Sequence, residues 1–197
     1  MFVKICGLTD KRSIDAAVEA GADAIGFVFA DSVREIEPER AHELCRSLPK
    51  ETIRVAVMHH PSPQRFKSVI DQFDPDWIQT DVEDFDKLAA PASARAIPVF
   101  REGGTTGRTD FPPRLVFEGR VSGSGATADW DEAKRIAAGS ELILAGGLNP
   151  ENVAAAITHV KPYGVDVSSG VEFERGKKDP QKIKQFVARV RAEVFDS

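Results

Sequence analysis

Four residues that can exchange protons or hold an anion stand at the ends of short apolar runs in this sequence. They are Cys6 at the end of FVKIC, Arg34 after AIGFVF, Glu118 at the end of RLVFE, and Asp166 in GVDV. A thiol at the end of a strand can be a packed apolar group or a group that faces a reaction. The residue types alone leave both readings open, and the decision depends on whether the chain brings the four side chains together.

Two glycine-rich segments have the composition of loops that bind phosphate. AGGLNPENV and DVSSGVE each come directly after an apolar run or at its end. Glycines let backbone N–H groups approach an anion closely, and the N-terminus of a following helix adds a favourable partial charge. We therefore expect a phosphate site at these two loops, formed by Gly146, Gly147, Ser168 and Ser169.

The elements that must position these residues are visible in the apolar pattern, which alternates between short β-like runs and helical segments. Spacing of i, i+3, i+4 and i+7, typical of one helical face, follows the second and third runs. Strands that alternate with helices predict βα units and a parallel sheet. The eight β-like runs cover residues 2–6, 24–29, 53–58, 76–80, 96–100, 114–118, 141–145 and 164–167, with seven readable helices between and after them.

Eight units favour a compact, closed (β/α)8 barrel that takes in residues 1–197 as a single domain. The polar and glycine-rich stretches follow the carboxyl ends of the runs, where barrels of this type build their active sites. The chain of 197 residues is somewhat shorter than the usual size of about 250, and an open doubly wound sheet is the competing architecture. REGGTTGRTDF, after the fifth run, is short and rich in glycine, so the fifth helix is predicted to be short or irregular.

Proline positions predict where four of the helices begin. Each of these prolines follows a polar residue and suits the first helical position, where no backbone N–H is needed. They are Pro38, Pro63, Pro150 and Pro180.

Composition and charge argue against several classes of protein. Apolar residues make up 42% and charged residues 29% of the chain, which is typical of a folded globular protein. The net charge of −5 disfavours a nucleic-acid-binding face. No apolar stretch is long enough for a membrane span or a signal peptide, so no membrane partner and a cytoplasmic location are expected. Two cysteines without a CxxC or Cys/His cluster disfavour disulfides and structural zinc.

Several other residues are interpreted as structural. Cys45 lies on the apolar face of the second helix and is predicted to pack in the core. His59 and His60 are adjacent, and neighbours in an extended chain point to opposite sides, so no shared metal site is expected. GKKD, residues 176–179, is interpreted as a solvated loop and helix cap in which Lys177 could attract an anion at long range.

Five segments, in order along nearly the whole chain, resemble the phosphoribosylanthranilate isomerase family. They are KICGLTD, GADAIGFVF followed by SVREIEPERA, GSGATADW, LAGGLNPENV and VDVSSGVEFERGKKD. Members of this family are compact (β/α)8 barrels of tryptophan biosynthesis that work without cofactors. The resemblance implies that fold, a small phosphorylated substrate, no cofactor and no metal, and it leaves open whether the chain is a monomer or a homodimer.

The resemblance also implies a reaction, the Amadori rearrangement of N-(5-phosphoribosyl)anthranilate to 1-(2-carboxyphenylamino)-1-deoxyribulose 5-phosphate. A general acid protonates the furanose oxygen, the ring opens to a Schiff base, and a general base removes the proton from C2. By resemblance, Cys6 is the base, and its surroundings must favour the thiolate at neutral pH. Arg34 contacts the anthranilate carboxylate, Asp166 lies near the amine and sugar hydroxyls, and the two glycine loops hold the phosphate.

Three stretches depart from the pattern of the family. Glu118 stands where an aspartate is common, and it is assigned as the general acid because it carries the same group on one more methylene. IQTD replaces the frequent QLHG, so Gln79 is kept, and Thr80 and Asp81 receive no role. Arg101 stands where a lysine is frequent and can keep that positive charge at the mouth.

Alternatives remain at this point. One is a related phosphate-binding barrel, such as a sugar-phosphate isomerase or an indole-glycerol-phosphate synthase. The synthase typically depends on strand-end lysines, whereas Lys4 is the one lysine in the predicted strands. Another is a catalytically silent barrel that binds a phosphorylated ligand and could dispense with Cys6 and Glu118. Turnover of phosphoribosylanthranilate separates these readings.

Overall fold

Eight parallel strands close into a barrel in which each strand pairs with its neighbours in chain order and the last pairs with the first. The computed structural model describes residues 1–121 and 125–195, so the start of GSGATADW lies outside the described residues. The predicted fold class, a (β/α)8 barrel, is confirmed, and the open sheet is excluded. The strands are β1 (Phe2–Cys6), β2 (Ala24–Val28), β3 (Ile53–Val57), β4 (Trp77–Asp81), β5 (Arg95–Arg101), β6 (Arg114–Glu118), β7 (Glu141–Leu144) and β8 (Gly164–Val167).

Six α-helices cover the outside of the barrel within the described residues: α1 (Lys11–Glu19), α2 (Pro38–Cys45), α3 (Pro63–Phe73), α4 (Trp130–Ala137), α5 (Val153–Val160) and α6 (Pro180–Phe195). The helix predicted after β4 is instead a 3₁₀ helix at Val82–Asp86. Its Asp84 accepts hydrogen bonds from the Thr80 hydroxyl and the His60 backbone N–H, which ties this segment to the rim. After β5 the described chain forms turns without a helix, in agreement with the irregular fifth unit.

Three helices begin at the predicted prolines, namely Pro38, Pro63 and Pro180. The prediction for Pro150 was wrong, because α5 begins at Val153. The Asn149 side chain accepts hydrogen bonds from two backbone N–H groups of the intervening segment, which form a turn before the helix. At Asn149 and Pro150, therefore, a polar residue followed by proline forms a turn and does not begin a helix.

Successive side chains of a strand point to opposite sides, and this alternation divides the core into two layers. One layer, with Ile5, Phe27 and Phe117, lies between the strands and the helices. The other lies inside the barrel, where Phe2 stacks on Trp77 with ring centroids 5.1 Å apart. Because residues i and i+2 of a strand share a face, β1 places Lys4 and Cys6 on the same inner side as Phe2.

Two further features join the end of the barrel to its beginning. A hairpin of β9 (Glu172–Glu174) and β10 (Lys177–Lys178) follows β8. On α6, Arg191 donates hydrogen bonds to the carbonyl of Met1, to the carbonyl of Gly21 at 2.6 Å and to Asp23 at 2.9 Å.

Among the described residues, no helix combines the length and apolarity that a membrane crossing requires.

Candidate active site

A cavity of about 550 Å³ opens at the carboxyl ends of the strands. Every residue singled out as a candidate in the sequence lines it: Cys6, Arg34, Glu118, Gly146, Gly147, Asp166, Ser168 and Ser169. Closure of the barrel brings β1 beside β8, which explains how residues from opposite ends of the chain meet. The cavity therefore offers one chamber in which all these groups can reach the same ligand.

Cys6 is a buried thiol on the wall of this cavity, 7% exposed. Burial raises its pKa, Lys4 and Lys178 oppose that rise, and Asp166 adds to it, so that the pKa stays above its ordinary value. The sequence predicted surroundings that favour the thiolate. The expected cations are present, but burial outweighs them, because an apolar environment disfavours the charged form.

Lys4 and Asp166 form a buried ion pair below the sulfur, with Lys4 Nζ 2.7 Å from Asp166 Oδ2. Burial alone lowers the pKa of Lys4, but Asp166 and Cys6 outweigh it and raise the pKa, so the lysine is an ammonium at neutral pH. Asp166 Oδ1 is buried and accepts no hydrogen bond from the described part of the chain. That oxygen can accept a hydrogen bond from a ligand in the cavity.

Arg34 is held on one edge by Glu172, with Nε 2.7 Å from Oε1 and Nη2 3.0 Å from Oε2. Gly7, with a φ of +70°, makes room for it, since a Cβ there would lie 2.6 Å from Arg34 Cδ. Lys178 Nζ binds the same Glu172 at 2.8 Å and the Ser168 carbonyl at 2.9 Å. Burial alone raises the pKa of Glu172, but hydrogen bonds from Arg34 and Lys178 outweigh it and lower the pKa to about 2.

The interpretation of GKKD as a solvated loop was wrong for Lys178, which lies on β10 and is 4% exposed. Burial lowers the pKa of Lys178 more than Glu172 raises it. Lys177 pairs with Glu174 at the surface, in agreement with its predicted exposure. The two lysines differ because neighbouring residues of a strand point to opposite sides.

Glu118 lies across the mouth in a line of charged groups. Arg101 Nη1 donates a hydrogen bond to Glu118, and Arg101 Nε donates one to Asp81 at 2.7 Å. Asp81 also accepts a hydrogen bond from His59 Nδ1 at 2.6 Å. Burial alone raises the pKa of Asp81, but Arg101 and His59 outweigh it and lower the pKa. Asp81, which the sequence left without a role, thus anchors the arginine beside the proposed acid.

His59 and His60 face the same way, contrary to the prediction, with ring centroids 4.3 Å apart. The cause is the φ of +45° at His60, which breaks the alternation of an extended chain. Ligand atoms of both histidines and Asp81 lie within 4.8 Å of one another. In this structure each ring is instead hydrogen-bonded to its own carboxylate, His60 to Asp84 at 2.9 Å. The hydrogen bond that the His60 ring donates to Asp84 raises the pKa of His60.

The loop after β7 packs backbone against backbone on the loops after β6 and β8. Gly147 has a φ of +65°, and a Cβ there would lie 2.5 Å from the Thr127 nitrogen. A Cβ at Gly170 would lie 1.9 Å from the Leu148 carbonyl oxygen, across the gap between the loops after β7 and β8. Only glycine fits such approaches, which keeps backbone N–H groups of both loops close to the cavity.

Cys45 is buried at the end of α2, as predicted for a core residue. Burial raises its pKa to about 12, so this thiol stays protonated and unreactive at neutral pH.

Sequence reasoning missed the partners of the candidate residues: Lys4, Asp81, Glu172 and Lys178. For Lys4 a signal was present, since it precedes Cys6 by two positions and so shares its face of the strand. The others depend on contacts between elements far apart in the chain, which no local pattern reveals.

A closed (β/α)8 barrel with titratable groups around a cavity at the carboxyl ends of its strands has the architecture of a barrel enzyme. Comparison with known proteins agrees. The family model of N-(5'-phosphoribosyl)anthranilate (PRA) isomerase matches residues 3–189. An N-(5'-phosphoribosyl)anthranilate isomerase of Listeria monocytogenes is 41% identical over 196 residues, covering 95% of this chain and 96% of the relative.

Solved structures of the same family superpose closely. The phosphoribosyl anthranilate isomerase of Thermotoga maritima has a TM-score of 0.85 and 34% identity, covering 98% of this chain and 99% of that one. A structure of the isomerase in complex with reduced 1-(o-carboxyphenylamino)-1-deoxyribulose 5-phosphate has a TM-score of 0.80 and 33% identity, with the same coverage. The chain belongs to the N-(5'-phosphoribosyl)anthranilate isomerase family, and it is an isomerase.

Proposed function

We propose that the chain converts N-(5'-phosphoribosyl)anthranilate into 1-(2-carboxyphenylamino)-1-deoxyribulose 5-phosphate in tryptophan biosynthesis, with Cys6 as general base and Glu118 as general acid. The observation that carries this proposal is the placement of a buried thiol and a carboxylate on one cavity, beside two glycine loops, in a chain of this family. Such a reaction needs a proton donor and a proton acceptor around a small phosphorylated substrate.

Binding groups are available for each part of the substrate. The phosphate is bound by backbone N–H groups and hydroxyls at Gly146, Gly147, Ser168 and Ser169. The anthranilate carboxylate is bound by Arg34, which Glu172 holds in place before the ligand arrives. Fixing the guanidinium in advance reduces the entropy lost on binding. Asp166 Oδ1 accepts a hydrogen bond from the substrate amine or a sugar hydroxyl.

Glu118 opens the furanose ring. It donates its proton to the ring oxygen, the bond between that oxygen and C1 breaks, and the nitrogen lone pair forms the Schiff base. Glu118 is left as a carboxylate, which Arg101 stabilises. Because Arg101 is shared with Asp81, its charge is already partly balanced while Glu118 carries the proton.

Cys6 then removes the proton from C2. The C2–H bond breaks, its electron pair moves toward the iminium nitrogen, and the resulting enolamine becomes the ketone. Burial raises the pKa of Cys6, which makes the thiolate scarce but strongly basic once it forms. The site therefore needs a nearby cation that lowers the free-energy cost of forming this thiolate.

A matched pair of cysteine variants tests the assignment of the base. Cys6→Ser is expected to lower kcat at least ~10²-fold, the usual scale for loss of a general base. Cys45→Ser serves as the control, because Cys45 is the chain's other cysteine and lies away from the cavity; its kcat should stay near that of the parent. Turnover is followed by the loss of substrate fluorescence, with circular dichroism as the check on folding.

Two results would count against the proposal in different ways. Near-normal turnover of Cys6→Ser would remove the base assignment while leaving the activity. A parent chain that binds the substrate without turnover would instead be the catalytically silent barrel. The single domain over residues 1–197, the cytoplasmic location and a monomeric or homodimeric state stay predictions.

A further inference from the structure

We propose that Lys4 is a positioning residue for the base: its ammonium stabilises the Cys6 thiolate, and Asp166 holds that ammonium beside the sulfur. This inference rests on the proposed role of Cys6 and adds to it the group that stabilises the thiolate.

The sulfur and the ammonium converge on one point of the barrel interior. Lys4 and Cys6 are two positions apart on β1 and face the same side. Both press against Gly26 of β2, where a Cβ would lie 3.1 Å from Cys6 Sγ and 3.2 Å from Lys4 Nζ. A side chain at position 26 would have to displace them, so the glycine provides the space in which the two groups meet.

The ammonium is held there by a fixed partner. Lys4 is 1% exposed, and its Nζ lies 2.7 Å from Asp166 Oδ2. A buried ammonium is stable only with a compensating charge, and Asp166 supplies it. The other oxygen of Asp166 accepts no hydrogen bond within the described residues, so this carboxylate can serve Lys4 and the substrate together.

Charged groups reach Cys6 from three directions. Lys4 lies on β1, Asp166 on β8 and Lys178 on β10, while β2 contributes only Gly26. Lys178 donates hydrogen bonds to Glu172 and to the Ser168 carbonyl. Of the two cations, Lys4 lowers the pKa of Cys6 more. A cation beside a buried thiol favours its ionised form, because the field is little screened there.

This arrangement assigns one proton transfer, the removal of the proton from C2. The C2–H bond breaks and an S–H bond forms, while Lys4 keeps its protons throughout. The ammonium faces a thiolate before the transfer and a neutral thiol after it. Lys4 therefore acts through Cys6 and does not itself react with the substrate.

Thiol alkylation tests the proposal independently of turnover. In a Cys45→Ser background, the rate of Cys6 carboxamidomethylation by iodoacetamide is measured by intact mass from about pH 7 to about pH 11, a range that extends above the ordinary thiol pKa because burial raises the pKa of Cys6. Lys4→Met should raise the pH of half-maximal rate by at least about one pH unit, which slows the reaction about tenfold at pH 8. Lys4→Arg keeps the charge and should stay near the parent. Lys184→Met, an exposed lysine of α6, is the control.

An unchanged midpoint in folded Lys4→Met overturns the proposal. If that variant does not fold, because Asp166 is left unpaired, the double variant Lys4→Met/Asp166→Asn removes both buried charges. Lys4 affects Cys6 more strongly than Asp166 does, so the midpoint should still rise, and an unchanged or lower midpoint overturns the proposal. Failure of the proposed base would appear separately, as near-normal turnover by Cys6→Ser, and failure of the proposed activity as a parent chain that binds the substrate without turnover.

Discussion

At the scale of single residues, each proposed active group lies beside a charged partner. Arg34 is held by Glu172, Glu118 is bound by Arg101, and Cys6 lies beside Lys4. The sequence showed which residue types could do chemistry, because those types end strands of a barrel. It could not show Glu172 or Arg101 as partners, since those pairings depend on which elements become neighbours, whereas the spacing of Lys4 and Cys6 on β1 was a readable signal.

Two variants of Glu118 separate its roles as acid and as charge. Glu118→Gln cannot donate a proton to the ring oxygen and is expected to lower kcat by about 10²-fold or more. Glu118→Asp keeps an acid but shortens the reach to Arg101, so we expect a smaller loss of kcat. Steady-state kinetics at saturating substrate measures both. Parental turnover in both variants would place the general acid elsewhere.

At the scale of elements, the β9–β10 hairpin connects the two ends of the proposed substrate site. Glu172 on β9 holds Arg34, and Lys178 on β10 holds both Glu172 and the Ser168 carbonyl. The sequence placed Ser168 and Arg34 correctly on the cavity, but GKKD, which contains β10, was interpreted as a solvated loop. A run such as GKKD looks solvated, because only the fold determines that one of its lysines points inward.

Glu172→Gln should destabilise the protein in a pH-dependent way. The pKa of Glu172 is about 2 in the folded protein, below the value of about 4.3 expected for the unfolded chain. Its ionised form therefore stabilises the fold above about pH 4.3, and this contribution is lost as the pH falls toward 2. Urea unfolding should show a loss of about 1–3 kcal/mol at pH 7 that shrinks near pH 3.

The control for this prediction is Glu174→Gln on the same hairpin, whose carboxylate forms an exposed pair with Lys177. It should change the free energy of unfolding by less than about 1 kcal/mol at either pH. A constant difference between Glu172→Gln and the parent over the whole pH range would show that Glu172 is not held ionised by Arg34 and Lys178.

At the scale of the whole molecule, the alternation of eight runs with helices was enough to predict the closed barrel. The errors were local. The segment after β4 forms a 3₁₀ helix because Asp84 is bound to the rim, and α5 begins late because Asn149 forms a turn. Such side-chain hydrogen bonds compete with helix formation and leave little trace in an apolar pattern.

Arg191 contributes to closure of the ring from outside the barrel. Arg191→Met removes hydrogen bonds to the Met1 and Gly21 carbonyls and to Asp23, and should lower the free energy of unfolding by about 1–3 kcal/mol with kcat unchanged. Lys184→Met on the same helix removes only an exposed pair with Glu19 and should cost less than about 1 kcal/mol. Equal effects of the two variants in urea unfolding would contradict a special role for Arg191.

The ion pair beside the proposed base also has a consequence for the order of folding. Lys4 and Asp166 are direct neighbours across the pairing of β1 with β8, the contact that closes the barrel. Contacts between residues so distant in the chain form late, because a long loop must be ordered first. During synthesis from the N-terminus, Cys6 and Lys4 emerge early, whereas Asp166 emerges near the end. An incomplete chain therefore carries the thiol without the fixed ammonium, and the proposed base is assembled only when the ring is complete.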